Sequence, residues 1–222
     1  MTATKLIALR MFLAIVAVAI FPFSAALATT TIILFLVALV LDLFDGVLAD
    51  VKGHPKPFGG FLDISADQCI ETLFWFLFLK YDLVPLWIPA FILVRNTFIN
   101  LLRTEAIHAG RSMFGAGGML RSRFAHLFVG TRAARGVMVV AKMIGFVAAI
   151  LLYIGQTYGA ASVPIVPYNP QLLHATVITS LTILAGIHLV RGAIIIWEGR
   201  DYLGAFMWSP PPTVKLEERR AE

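Results

Sequence analysis

A single cysteine, Cys69, in 222 residues leaves no partner for an internal disulfide. Charge is scarce too: only 14% of the residues are Asp, Glu, Lys or Arg, where soluble domains average about 25%. In its place stand 59% hydrophobic residues and a mean hydropathy of +0.85. That balance excludes a soluble enzyme, a coiled coil and a disordered chain. The apolar residues run on without polar alternation, which excludes an outer-membrane barrel. The Gly- and Arg-rich stretch 110–123 lacks G-x-x-x-x-G-K-[ST], so a nucleotide P-loop is unsupported. The net charge of +5 comes from basic residues flanking apolar runs, a pattern that sets membrane orientation and gives no support to nucleic-acid binding.

What is present is an all-α integral membrane pattern. Each crossing needs about 20 apolar residues, so at roughly 37 residues per span and loop the chain has room for about six. Six windows are legible: 11–28, 30–49, 62–79, 84–102, 136–158 and 172–197. The first follows Lys5 and Arg10 and ends in Ala26-Leu27-Ala28, as a cleaved leader would. Its length of about 18 residues exceeds the usual 7 to 15 or so of such a leader, and it is read as a retained span. Lys and Arg assign the sides. Lys5 and Arg10, then Lys52 and Lys56, then Arg103, Arg111, Arg121, Arg123, Arg132 and Arg135 fall on one side, while the opposite connections carry almost no charge. Both termini are therefore expected in the cytoplasm, with residues 1–208 as one six-span domain and 209–222 as a charged tail behind Pro210-Pro211-Pro212.

The chemistry lies in the acids, because a charge near a helix centre costs about 2.5–3.5 kcal/mol on insertion scales. Asp42 and Asp45 share one face at the end of the second span; Asp63 and Asp67 share one at the start of the third. Counted from Thr30 at about 1.5 Å per residue, Asp42 lies roughly 18 Å into a core about 30 Å thick. Four carboxylates at close range need cations, and oxygen-only ligands select hard ions such as Mg²⁺ or Mn²⁺. One or two such ions suit phosphoryl transfer. Gly46 and Ala49 on one helix, and Gly59-Gly60 before the other, leave room for a nucleotide or diphosphate to approach the backbone. A blander alternative is a set of caps and ion pairs at helix ends.

These residues spell a signature. Asp42-Leu43-Phe44-Asp45-Gly46-Val47-Leu48-Ala49, then Gly59, Asp63 and Asp67, resemble the CDP-alcohol phosphotransferase (CDP-alcohol phosphatidyltransferase) motif, D-x2-D-G-x2-A-R-x8-G-x3-D-x3-D, at seven of eight fixed positions. Chance would give this in a chain of this length on the order of once in a million. The resemblance implies a six-span membrane enzyme, commonly a homodimer, that moves a phosphatidyl group from a CDP-linked donor such as CDP-diacylglycerol to an alcohol and releases CMP. It implies that Asp42, Asp45 and Asp63 ligate a pair of divalent ions, and that Asp67 completes the metal site and deprotonates the acceptor hydroxyl. Gly46, Ala49 and Gly59 would make room for the cytidine nucleotide. One position departs: Asp50 stands where the motif has Arg, with Lys52 and Lys56 as candidate replacement cations. An asparagine- and threonine-containing signature ahead of the first span is not evident.

On the fourth span Asn96, Asn100 and Arg103 form a polar stripe with Arg95 adjacent, and Arg191 lies deep in the sixth. Arg95, Arg103 and Arg191 are candidate acceptor-binding residues, and arginines tilt the acceptor toward a phosphorylated alcohol such as glycerol 3-phosphate. Ion pairing with the acids, or snorkelling to headgroups, is the competing role for Arg95 and Arg191. Glu71 is expected behind the metal site, Cys69 as packing, and the aromatic residues of 74–78 as interhelical or lipid-facing. His54 is a loop histidine, and 110–123 a basic segment touching anionic lipid. The active site is expected near the cytoplasmic leaflet of the inner membrane. Inositol phosphate, serine or choline as acceptor, a membrane metal or proton transporter, and a non-catalytic homologue stay open at this point. Transport is disfavoured because nothing like the motif recurs in the second half.

Overall fold

The computed structural model describes residues 3–51, 57–108, 122, 125–164 and 166–200; within these the side chains at 3–4, 42–51, 57–61, 63, 106–108, 126, 130 and 132–135 lie outside the description. The architecture is all-helical among the described residues. Six long helices lie within the described residues: α1 Ala3–Ile20, α2 Ala25–Val51, α3 Pro57–Lys80, α4 Trp87–His108, α5 Arg132–Tyr158 and α6 Pro170–Glu198. A π-helical turn, His126–Gly130, precedes α5, and a 3-10 turn, Ala160–Ser162, follows it. Two segments, Gly136–Tyr158 and Pro170–Glu198, are long and apolar enough to cross a membrane, and Ala25–Leu41 is a shorter apolar one. Their outer surfaces carry exposed Ile33, Val140, Ile144, Ile183, Leu189 and Trp197, an apolar exterior that water does not favour.

Helix ends follow local chemistry, and one corrects the sequence expectation. The first window was set at 11–28, yet the helix stops at Ile20 and the next starts at Ala25. Pro22 has no N–H to continue the ladder and disfavours helical geometry in Phe21, so the chain turns there. Ser24 then starts α2, its Oγ accepting from Leu27 N at 3.2 Å. At the other end of the chain Asn169 caps α6, accepting from Leu172 N at 3.0 Å, with Pro170 in the first turn. The remaining windows fall within α2 to α6, apart from 84–102, which begins three residues before Trp87 because Pro85 occupies the turn.

Packing defines two ends of the bundle. At one end Phe21, Tyr81 and Tyr153 stack at centroid separations of 4.3–5.7 Å, and Tyr158 Oη donates to Pro22 O at 2.8 Å, tying the ends of α1, α3 and α5. Toward the middle, Phe146 of α5 is enclosed by Phe35 of α2 and by Phe74, Trp75 and Phe78 of α3 at 4.8–5.7 Å. The aromatic residues of 74–78 are thus interhelical, save Phe76, which faces outward. At the opposite end Ile99, Leu102, Ala125, Val129 and Ile195 form a smaller core. Helices α5 and α6 approach closely because Gly145 lacks a side chain: a Cβ there would collide with Leu181, and one at Gly155 would collide with the Tyr168 ring in the connection between them.

Candidate active site

Between the aromatic middle and the smaller core lies a polar layer built by five helices. Counting about 1.5 Å per residue from the helix ends on the smaller-core side, Arg10, Asp67, Glu71, Arg95, Asn96, Lys142, His188 and Arg191 all fall about 10–21 Å in. Each is costly in an apolar bundle, and Arg10, Asp67, Glu71 and Lys142 form ion pairs between helices.

Asp67 is half exposed and forms an ion pair and hydrogen bond with the Arg10 guanidinium, which is 2% exposed. The sequence placed Arg10 ahead of the first span as a side-setting cation. Helix α1 starts at Ala3, and Arg10 instead sits two turns inside it, facing α3. A guanidinium therefore stands beside the last aspartate of a motif whose own Arg position holds Asp50. Lys52, Lys56 and His54 lie outside the described residues.

One turn beyond Asp67, Glu71 is 6% exposed and pairs with Lys142 Nζ at 2.8 Å, while Trp75 Nε1 donates to its other oxygen at 3.3 Å. The sequence expects Glu71 behind the metal site; here it pairs with Lys142 of α5 and Trp75 of its own helix. A small cavity of about 40 Å³ joins these groups, lined by Arg10, Asp67, Glu71 and Lys142 with Phe35 and Phe146. Cys69, expected as packing, is exposed, because two residues past Asp67 it points to the far side of α3.

The cationic candidates come together. Arg103 and Arg191 both lie within electrostatic range of Arg95, and Arg191 of Arg103. Arg95 donates to Asn96 Oδ1 at 2.9 Å and lies across Gly192, where a Cβ would stand 3.1 Å from its Nε. Arg191 donates from Nη2 to Val129 O at 3.0 Å. Asn100 belongs to the scaffold: it is paired with Gln68 of α3, whose Nε2 donates to its Oδ1 at 3.2 Å. Lys142 and His188 were missed in the sequence, although an ionisable residue inside an apolar run is itself the signal.

Asp42, Asp45, Gly46 and Ala49 fall on the last turns of α2, and Gly59 and Asp63 on the first turns of α3, but their side chains lie outside the described residues. The region 110–121 and the tail 209–222 lie outside them entirely. Among the described residues no three His, Cys, Asp or Glu side chains gather as a metal cluster. The donor set suits a hard divalent ion all the same: four carboxylates, all oxygen, on two helix ends joined by residues 52–56.

Comparison with known proteins assigns residues 1–197 to the CDP-alcohol phosphatidyltransferase family. Two relatives, from Mycobacterium tuberculosis strains CDC 1551 / Oshkosh and ATCC 25618 / H37Rv, are each named "Probable phosphatidylglycerophosphate synthase" and are 33% identical over 122 residues. The match covers 54% of this chain and 58% of theirs, so the chain spans somewhat more than half the length of those relatives. No solved structure matches the chain. With the motif at 42–67, the helical bundle around it and a family match over 197 of 222 residues, the chain belongs to the CDP-alcohol phosphatidyltransferase family.

Proposed function

We propose that the protein transfers a phosphatidyl group from CDP-diacylglycerol to glycerol 3-phosphate, releasing CMP, in phospholipid synthesis. It works as a multi-pass homodimer at the cytoplasmic leaflet of the inner membrane, with both termini cytoplasmic. The observation that carries this is the depth shared by Asp67 and a cationic group, Arg95 with Arg191, on facing helices. An acid that can take a proton and guanidiniums that can hold an anion then lie in the same layer of the bundle.

Asp42, Asp45, Asp63 and Asp67 would hold Mg²⁺ or Mn²⁺, which when bound offsets charge on the diphosphate of the donor. Gly46, Ala49 and Gly59 leave space for the cytidine nucleotide. The Asp67 carboxylate accepts the proton of the acceptor hydroxyl. That oxygen bonds to the phosphorus carrying diacylglycerol, the bond from this phosphorus to the CMP oxygen breaks, and CMP leaves with the electron pair. Arg95, Arg103 and Arg191 hold the acceptor's phosphate, and the relatives named for phosphatidylglycerophosphate synthesis support glycerol 3-phosphate as that acceptor.

The test is CMP release by purified protein given CDP-diacylglycerol and Mg²⁺ or Mn²⁺, with glycerol 3-phosphate, inositol phosphate, inositol, serine and choline supplied separately. Release that depends on glycerol 3-phosphate is expected. Release with a different acceptor replaces the substrate assignment, and none with any acceptor removes the activity.

A further inference from the structure

His188 has no role in the transfer just described, yet it is the layer's most anomalous side chain. It lies on α6 one turn before Arg191 and is 3% exposed. Neither ring nitrogen has a hydrogen-bond partner. Four charged side chains from four helices lie within electrostatic range of it: Glu71, Arg95, Lys142 and Arg191. Arg95 Nε is likewise buried without a partner. A buried polar atom left unpaired is costly, so a chain that keeps two on one ring is built to pair them with something else.

The ring dictates what that is. A neutral imidazole offers one donor and one acceptor, whereas its lysine and arginine neighbours offer donors alone. A phosphate oxygen suits the guanidiniums; a hydroxyl, which both donates and accepts, suits the imidazole. We propose that His188 recognises a second, non-reacting hydroxyl of an anionic polyol acceptor, whose anionic group lies on Arg95 and Arg191. This rests on the acceptor site given under Proposed function and adds to it a rule of substrate choice: the acceptor carries at least two hydroxyls, one that reacts and one that His188 holds.

The test compares glycerol 3-phosphate with 3-hydroxypropyl phosphate, which differs by the missing secondary hydroxyl. Both kcat/KM from CMP release and Kd from calorimetry on purified protein are read for the wild type, His188→Leu and His188→Gln. A site built to bond a hydroxyl rejects an analogue lacking it, and one hydrogen bond of this kind sets a preference of about 10- to 100-fold. Wild type is expected to prefer glycerol 3-phosphate by that factor. His188→Leu loses the preference by weakening glycerol 3-phosphate alone, with the KM for CDP-diacylglycerol unchanged, and His188→Gln keeps part of it. An unchanged preference in His188→Leu, or an equal loss for both acceptors, overturns the assignment and leaves His188 a packing residue. If wild type neither turns over nor binds either acceptor, the proposed function falls and this inference with it.

Discussion

Arg10 of α1 and Asp67 of α3 are ion-paired across 57 positions of sequence, the guanidinium sealed at 2% exposure and the carboxylate side chain open at 46%. The buried partner is thus the cation, and the exposed one is the group assigned to proton transfer. Arg10 is the fixed post and Asp67 the group that still reaches the cavity.

Arg10→Leu should therefore lose transfer by about 10²-fold, the scale for a reacting group displaced by an ångström or so. Its stability should fall by no more than about 3 kcal/mol, the lower edge for breaking a buried pair, because Asp67 can turn to water or headgroups. Arg10→Lys should recover part of the rate. CMP release and thermal unfolding in detergent check both.

Asp67→Asn keeps the shape and one acceptor oxygen for Arg10 but cannot take a proton. Loss of a general base costs about 10²–10⁴-fold, so kcat should drop by that range with the unfolding temperature close to wild type. Near-normal turnover in this variant would remove Asp67 from the base role.

Glu71 and Lys142 are 6% and 17% exposed, and removing either alone strands a charge. Glu71→Gln and Lys142→Met should each destabilise by about 3–5 kcal/mol, while the double variant should cost less than either single change. A double-mutant cycle on thermal stability measures the coupling; additive losses would show that the pair is independent.

Phe146→Ala should destabilise by about 3 kcal/mol, since the ring is fully buried among four others and its removal leaves a cavity that rigid helices cannot close. Refilling with Phe146→Leu should recover a large part. Loss of monodispersity on gel filtration, graded Ala before Leu, is the readout.

The long apolar windows made the helices legible, because unbroken hydrophobicity needs no tertiary information to be recognised. The boundary at Pro22 was misplaced because apolar Phe21, Phe23 and the alanines around them hid a backbone break inside a smooth hydropathy profile. The aspartates could be found by spacing, as both pairs lie within one helix turn or so. Arg10, Lys142 and His188 escaped for the opposite reason. None of them forms a spaced pair of acids on its own helix, and the meaning of two comes from a partner on another helix: Asp67 for Arg10, Glu71 for Lys142. Arg10 was further disguised by its neighbour Lys5, with which it reads as an ordinary flanking cluster.

The polar layer also bears on how the chain enters a bilayer. Helix α1 carries Arg10, α3 carries Asp67 and Glu71, and α5 carries Lys142, and an isolated helix with one such charge at its centre forfeits about 2.5–3.5 kcal/mol. Among the described residues, the Arg10–Asp67 and Glu71–Lys142 ion pairs each join two helices that are not consecutive in the chain. Arg10 meets its Asp67 partner only once α3 has followed α1, and Glu71 meets Lys142 only once α5 has followed α3. Pairing these charges therefore asks that helices made early stay within reach of helices made later.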